Sequence, residues 1–316
     1  MPIRAQGAAA SCQRDRSAPG NCVMNARSDS QMVRISAQPP TMLRRNPDNK
    51  FPSLRRYWQA RRFSRSCRRD FADVERYCQF VGFPYSGHSL IGSLLNSHPE
   101  LVIAHEADAL GLLGSCASRD ALFEKLMQAE WRFADGDFRW WGYDYSVPGQ
   151  WQGRYRRLRV IGDKKGGRSA RRLQADPVLL DRLRTLLRMP LRLVVNTRNP
   201  YDNIARIASR KRLDIEAAIE LYFVFAAGVA NALERARPGE SIMFRHEEFI
   251  AEPAAWLARL AGFLEVDAPA DWVTAAAARV FESPRRARDE VEWTAGHHAM
   301  VAAGLERFHF LAGYEF

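Results

Sequence analysis

The sequence has few cysteines, and it has no long apolar run. Its five cysteines are scattered over 316 residues without a C-x-x-C pair. We therefore expect neither a structural zinc site nor a disulfide framework, and this cysteine usage favours a reducing, cytoplasmic location. No stretch approaches the roughly 18 consecutive apolar residues of a membrane span, and the first residues lack the apolar core of a secretory signal. The segment "HEEF" at 246–249 departs from H-E-x-x-H, which excludes a zinc-protease motif.

Basic charge is concentrated at the start of the chain. Residues 1–76 carry fifteen arginines and one lysine against six acidic residues, which accounts for +10 of the net charge of +11. Residues 1–50 are rich in Ser, Pro, Gln, Asn and Arg, a composition typical of disorder, and residues 54–76 fit a basic helix laid on the domain. We predict a basic, largely disordered extension over 1–76, with an arm for nucleic acid or an anionic surface as the alternative.

From residue 77 onwards, short apolar runs alternate with helical patterns. Five runs are predicted as strands: 77–83, 100–105, 158–163, 191–197 and 241–247. Seven segments are predicted as helices, the third with Asp176 as its cap and Pro177 at its first position: 87–98, 120–131, 176–188, 199–210, 214–236, 252–266 and 268–281. Strands separated by helices pair in parallel. Residues 77–316 are thus predicted to form a three-layer α/β/α domain with a central parallel sheet of about five strands, as in P-loop NTPases.

The first strand runs into a turn with the spacing of a nucleotide phosphate loop. The run "GFPYSGHS" at 82–89 has the pattern G-x-x-x-x-G-x-S, and it lies between a strand and a helix, which is the context that the motif requires. Backbone N–H groups of residues 87–90 are expected to point at a phosphate, and the Ser86 and Ser89 hydroxyls add donors. A glycine-bounded turn without a ligand is the alternative.

His88 takes the position at which ATP- and GTP-hydrolysing proteins have lysine. Apart from Asp163, no strand ends in an aspartate placed to bind magnesium. A nucleotide or small-molecule kinase on this scaffold uses both groups, so it fits the sequence less well. The loop instead favours the transfer of a group that is not bound to a metal ion.

Arg198 marks a second candidate anion site. It lies between the fourth strand and a helix that opens with Pro200, and a guanidinium at a helix N-terminus binds phosphate well. Arg206 follows two turns on. Two anion sites at adjacent strand ends suit a nucleotide that is phosphorylated at both its 5′ and 3′ positions. An ion pair with a loop acid is the alternative for Arg198.

Together these motifs resemble the bacterial-type members of the sulfotransferase family that uses 3′-phosphoadenosine-5′-phosphosulfate. Residues 84–89 are similar to the family's "P-K-S-G-T-T" loop, 198–200 to its "R-N-P" turn, 244–266 to its "Y-E-D-L" segment, and 306–316 to the family's C-terminal end. The resemblance covers 77–316 and implies metal-free sulfuryl transfer to a hydroxyl or amine. It implies that ten residues contact the nucleotide that donates the sulfuryl group: Tyr85, Ser86, Gly87, His88, Ser89, Leu90, Arg198, Arg206, Arg285 and Arg286.

The sequence departs from the family at the loop cation, where Tyr85 stands in place of Lys or Arg. In "GDKK" at 162–165, similar to a family turn whose lysine faces the reaction centre, Lys164 is the predicted substitute and Lys165 the alternative. The resemblance makes Glu106 the expected base. His105 is the second candidate, because its ordinary pKa suits neutral pH, and Asp108 is the third.

The segment 131–155 holds nine aromatic residues with interspersed Gly and Pro. Such a segment forms either a lid and wall for a small-molecule or carbohydrate acceptor or a satellite core under a long loop. Nucleic acid is not required by this interpretation, and the oligomeric state is left open. Two other functions are considered: a P-loop nucleotide or small-molecule kinase, and a non-catalytic nucleotide-binding relative in which Tyr85 and His88 mark lost activity.

Overall fold

A computed structural model describes residues 54–316 of the chain. The predicted disorder of 1–50 lies outside these residues. The chain opens with helix α1 (Leu54–Ser66), followed by a short 3-10 turn (Cys67–Asp73). Ala60 and Ser64 of this helix and Phe71 of the turn are buried, so the residues directly before the first strand contribute to the domain core.

A parallel five-stranded sheet forms the centre of the molecule, as predicted. Its strands are β1 (Arg76–Phe80), β2 (Leu101–Ala104), β5 (Val160–Asp163), β6 (Leu191–Thr197) and β7 (Ser241–Arg245). They lie in the order β2-β5-β1-β6-β7, and each neighbouring pair is parallel. The two remaining strands, β3 (Arg139–Trp140) and β4 (Tyr143–Asp144), pair antiparallel as a separate hairpin that the sequence did not predict.

Helices cover both faces of the sheet, which gives the predicted three layers. After α1 they are α2 (His88–Asn96), α3 (Ala109–Leu112), α4 (Arg119–Ala134), α5 (Gly166–Ala175), α6 (Leu179–Leu187), α7 (Pro200–Lys211), α8 (Ile215–Glu234), α9 (His246–Ala251), α10 (Pro253–Phe263), α11 (Ala270–Ala277) and α12 (Ala295–Arg307). Strand side chains alternate between two cores: Leu193 and Val195 pack on one side of the sheet, and Val194 packs on the other. Because both faces are covered, the strands are apolar along their whole length.

The helices differ from the prediction at the start of α6 and at α3, α5, α9 and α12, which were not predicted. Helix α6 begins at Leu179 instead of Asp176, because the Asp176 carboxylate accepts from the backbone N–H of Val178 and Pro177 lies in the turn before the helix. Helix α5 was not predicted, since the glycines and arginines of 166–172 conceal its apolar face. Ala170 and Leu173 form that face, and both are fully buried.

Within residues 54–316, one helix is long and apolar enough to cross a membrane by length and composition alone: α8. It is a core helix of this domain. Tyr222 and Val229 are fully buried, and a Cβ added at Gly228 would lie 1.8 Å from the carbonyl oxygen of Ala170. This close backbone approach fixes α8 against α5.

Candidate active site

The strand order places the predicted site residues along one edge of the sheet. His105 and Glu106 follow β2, Lys164 follows β5, the loop 82–89 follows β1, and Arg198 follows β6. The loop therefore has one neighbour on each side, which we call the β5 side and the β6 side. The connection after β1 leads to β2 on the β5 side, whereas the connection after β5 crosses to β6 on the other side of β1, and ligands of parallel sheets bind at such a switch point.

The loop is held by three polar side chains from β6 and α7. Asn196 donates to the carbonyl of Ser86 at 2.5 Å, Asn203 to that of Pro84 at 2.9 Å, and Arg198 to that of Tyr85 at 3.2 Å. Tyr85 has a φ of 64° and Gly87 a φ of 97°, both in the left-handed region. With its carbonyls drawn towards β6, the loop presents the first N–H groups of α2, which have no partner inside the helix.

The side chain of His88 lies beneath the loop and not in the expected anion site. Its ring fills the space above Gly82 and Gly166, where an added Cβ would meet it at 2.7 Å and 2.4 Å respectively. Ser86 Oγ lies 3.4 Å from Nδ1, and burial lowers the pKa of His88 to about 3. The ring is neutral at physiological pH, so only the backbone N–H of His88 remains for a phosphate.

On the β5 side, Lys164 joins the loop to Glu106. Its ammonium lies 2.8 Å from Ser89 Oγ and 2.7 Å from a carboxylate oxygen of Glu106, and it is 1% exposed. The second carboxylate oxygen pairs with Lys165. Burial by itself raises the pKa of Glu106, but the two ammonium groups outweigh it and lower that pKa to about 2. The carboxylate is therefore ionised, and the predicted substitute cation stands at the loop.

Asp163 shapes the turn that carries Glu106. Its two carboxylate oxygens accept from the backbone N–H groups of Ala107 at 3.0 Å, Ala109 at 2.7 Å and Lys165 at 3.2 Å. Glu106 itself has a φ of 63°, a conformation that costs about 1–3 kcal/mol and concentrates at functional sites. A fully buried aspartate thus holds the proposed base in a strained conformation.

The aromatic hairpin covers the β5 side. His105 stacks on Phe133 with ring centroids 3.8 Å apart, and Trp140 approaches it edge-on at 5.0 Å. The centroid of the Tyr145 ring lies 6.4 Å from that of His105. Burial and Lys164 lower the pKa of His105 to about 2, so its ring is neutral. Trp140, Trp141 and Tyr143 remain exposed, and both the acceptor wall and the satellite core stay predictions for this segment.

Glu130 is a buried carboxylate behind this site that the sequence reasoning did not single out. It accepts from the Asn96 amide at 2.6 Å, and burial raises its pKa to about 7. A lone glutamate in a helical pattern gives no signal of burial. Asp108, the third candidate base, instead forms a two-point ion pair with Arg172, at 2.8 Å and 2.6 Å.

On the β6 side, Arg198 is 7% exposed and donates only to backbone carbonyls, those of Tyr85 and Arg285; its buried Nε has no partner. Arg206 is half-buried, and within residues 54–316 it has no hydrogen bond or ion pair. Arg210, one turn further along α7, lies over the Trp141 ring at 5.8 Å. Among the described residues, none of these three guanidinium groups forms an ion pair with an acid.

The two arginines expected to close over the nucleotide are exposed and paired with acids. Arg285 bonds Glu290 at 2.8 Å, and Arg286 bonds Asp289 at 3.1 Å. Arg288, which the sequence reasoning passed over, is buried on Asp202 at 2.7 Å and ties this segment to α7. His246 was also not singled out. Its ring packs on Gly87, where an added Cβ would meet it at 2.4 Å.

Neither a family model nor a curated protein matches the chain. The solved structures to which it is similar include three sulfotransferases. The first is a domain of the Synechococcus PCC 7002 olefin synthase, with 15% identity and a TM-score of 0.48 over 75% of this chain and 95% of that chain. The second, from Mycobacterium avium, has 14% identity and a TM-score of 0.45 over 79% of this chain and 81% of that chain. The third, a mouse enzyme complexed with PAP, has 11% identity and a TM-score of 0.40 over 76% of this chain and 84% of that chain. With such identities and TM-scores below 0.5, these similarities assign no function to this chain.

Proposed function

We propose that this protein transfers a sulfuryl group from 3′-phosphoadenosine-5′-phosphosulfate to a hydroxyl or amine of a small-molecule or carbohydrate acceptor. One observation carries the proposal: the phosphate loop lies between a buried lysine paired with Glu106 on the β5 side and, on the β6 side, arginines that have no ion pair within residues 54–316. The reaction needs a cation near the leaving oxygen, a proton acceptor and residues that bind both phosphates of the nucleotide. The cysteine usage supports a cytoplasmic location.

The residues present fit this nucleotide. Backbone N–H groups of 85–90 and the Ser89 hydroxyl would hold the 5′-phosphate at the helix N-terminus. Arg198 has a buried nitrogen without a partner, and Arg206 has no ion pair within the described part of the chain, so both suit the 3′-phosphate. Arg285 and Arg286 stay candidates for the outer side of the nucleotide.

When bound, the nucleotide supplies a sulfuryl group that passes to the acceptor while its bond to the 5′-phosphate oxygen breaks. Lys164, which is hydrogen-bonded to Ser89 in the loop, would offset the negative charge that develops on that oxygen. It would thereby replace the basic residue that the sequence lacks at position 85. Glu106 is ionised and adjacent, so it would take the proton of the acceptor hydroxyl or amine. His105 is disfavoured as the base, because its pKa is lowered to about 2 and its ring is stacked on Phe133.

The kinase alternative has no support in the geometry. Asp163 was the aspartate available for magnesium, and three backbone N–H groups engage both of its oxygens. A non-catalytic relative would bind the nucleotide equally well, and transfer to an acceptor separates it from the enzyme.

Thermal unfolding distinguishes these functions. We expect adenosine 3′,5′-bisphosphate to raise the Tm, since a ligand that binds only the folded state stabilises it by about 2.7 kcal/mol at a hundred times its Kd. ADP with magnesium should have a smaller effect. Stabilisation by ADP with magnesium and none by the bisphosphate would refute the proposal. Bisphosphate binding without turnover on a panel of phenols, sugars and amines would favour the non-catalytic relative.

A further inference from the structure

The first turns of α1 present apolar side chains to solvent. Leu54 is 80% exposed, Tyr57 40% and Trp58 53%. The opposite side of the helix is anchored on α4, where Gln128 donates to Ser64 at 3.1 Å. An anchored helix with an exposed tryptophan and leucine is therefore a fixed feature of the surface, and such patches mark interaction sites.

The same helix carries strong positive charge. Residues 54–69 contain seven arginines and no acidic residue. Arg56 and Arg68 pair with Asp135 and Glu124 of the neighbouring α4 segment. Within residues 54–316, four of the remaining arginines have neither a hydrogen bond nor an ion pair: Arg55, Arg62, Arg65 and Arg69. The surface therefore holds uncompensated charge beside its apolar side chains.

A second group of exposed aromatics adjoins α1. Arg56 reaches Asp135 at 3.5 Å, and Asp135 precedes the hairpin that exposes Trp140 by 38%, Trp141 by 66% and Tyr143 by 40%. We call these side chains, together with Leu54, Tyr57, Trp58 and the four unpaired arginines, the basic aromatic surface. It lies at the end of the molecule where His105 and the candidate site open.

We propose that the basic aromatic surface docks on an anionic lipid bilayer. Tryptophan and tyrosine prefer the membrane–water interface, and arginines near it are attracted to acidic lipids. Helix α1 has 13 residues, too few to span a bilayer but suited to lying in its surface. Leu54 and the exposed indoles favour a bilayer over nucleic acid, because a phosphate backbone offers no apolar region to receive them.

The full-length protein is tested by co-sedimentation with vesicles of phosphatidylcholine, with or without about one quarter phosphatidylglycerol. We expect binding to the anionic vesicles at low salt, little to the neutral ones, and loss of binding at high salt as the charges are screened. Arg62→Gln with Arg65→Gln should weaken partitioning at least about tenfold. Leu54→Ala with Trp58→Ala should weaken it as well, since the apolar anchors are lost.

Two control variants keep the test specific. Arg188 is exposed at the opposite end of the sheet, directly before β6, and Met243 is 42% exposed on β7. Arg188→Gln and Met243→Ala should bind vesicles like wild type. Unchanged binding of the α1 variants, equal binding to neutral vesicles, or displacement from vesicles by duplex DNA would overturn the proposal. Unchanged thermal unfolding of each variant confirms that it is folded.

Discussion

Both sides of the phosphate loop carry basic side chains, but the two sides differ in whether these side chains form ion pairs. On the β5 side, Lys164 and Lys165 both close on Glu106. On the β6 side, Arg198 donates to carbonyls alone, and within residues 54–316 Arg206 has no ion pair. Burying a charge without a partner costs several kcal/mol. Because the charges of the β5 side already form ion pairs, that side is assembled before a ligand arrives. The β6 side keeps hydrogen-bond donors for an anion. We infer that the β6 side binds the nucleotide and that the residues of the β5 side carry out the transfer.

The largest expected effect is at Glu106. Glu106→Gln removes the proton acceptor and should lower turnover about 10²–10⁴-fold, measured on the best acceptor from the panel with saturating donor. Bisphosphate affinity should stay within about twofold, because the contacts of the β6 side are intact. Asp108→Asn is the matched control two residues away, and it should keep turnover. Full activity in Glu106→Gln would remove this residue as the base.

Lys164→Met should reduce turnover about 10²–10³-fold, the effect of losing one donor to a developing negative charge. Methionine keeps the apolar stem that packs on Gly92, where an added Cβ would meet Cγ of Lys164 at 2.5 Å. Lys165→Met, which leaves the ammonium at Ser89 in place, should cost less. Single-turnover transfer from a labelled donor measures both variants, and an equal loss would contradict the role given to Lys164.

Acidification should weaken the ion pairs that Glu106 forms on the β5 side. The pKa of Glu106 is lowered from its ordinary value of 4.5 to about 2 in the folded state. Its stabilising contribution is therefore present above about pH 4.5 and is lost as the pH falls towards 2. In urea unfolding, the free-energy difference between wild type and Glu106→Gln should shrink between pH 6 and pH 3. Asp202 and Glu247 act on Arg198 only through space, without an ion pair within residues 54–316. The free-energy difference for Arg198→Ala should therefore change less over this pH range.

Much of the fold was predictable because short apolar strands and capped helices alternate in the sequence. The loop and Arg198 could be placed at strand ends for the same reason. The order β2-β5-β1-β6-β7 comes from long-range pairing that no local pattern encodes. That order puts β5 beside both β1 and β2, and it alone explains why Lys164 meets Ser89 and Glu106.

The remaining differences follow from packing. His88 was expected to donate from within the loop, but the absence of side chains at Gly82 and Gly166 lets its ring turn beneath it. Glu130 and His246 became visible only once α4 and β7 were in place. Burial of a polar side chain depends on neighbours distant in sequence, so a single helical or strand pattern does not reveal it.

The most direct test of the division between the two sides is a calorimetric titration with two ligands and two proteins. Wild type should bind adenosine 3′,5′-bisphosphate at least about 100-fold more tightly than adenosine 5′-monophosphate, since charge-assisted contacts to the 3′-phosphate are strong. Arg198→Ala should lose most of that preference while its affinity for the monophosphate, held by the loop, changes little. Arg212→Gln, at the exposed end of α7, is the control. An unchanged preference in Arg198→Ala would contradict the account.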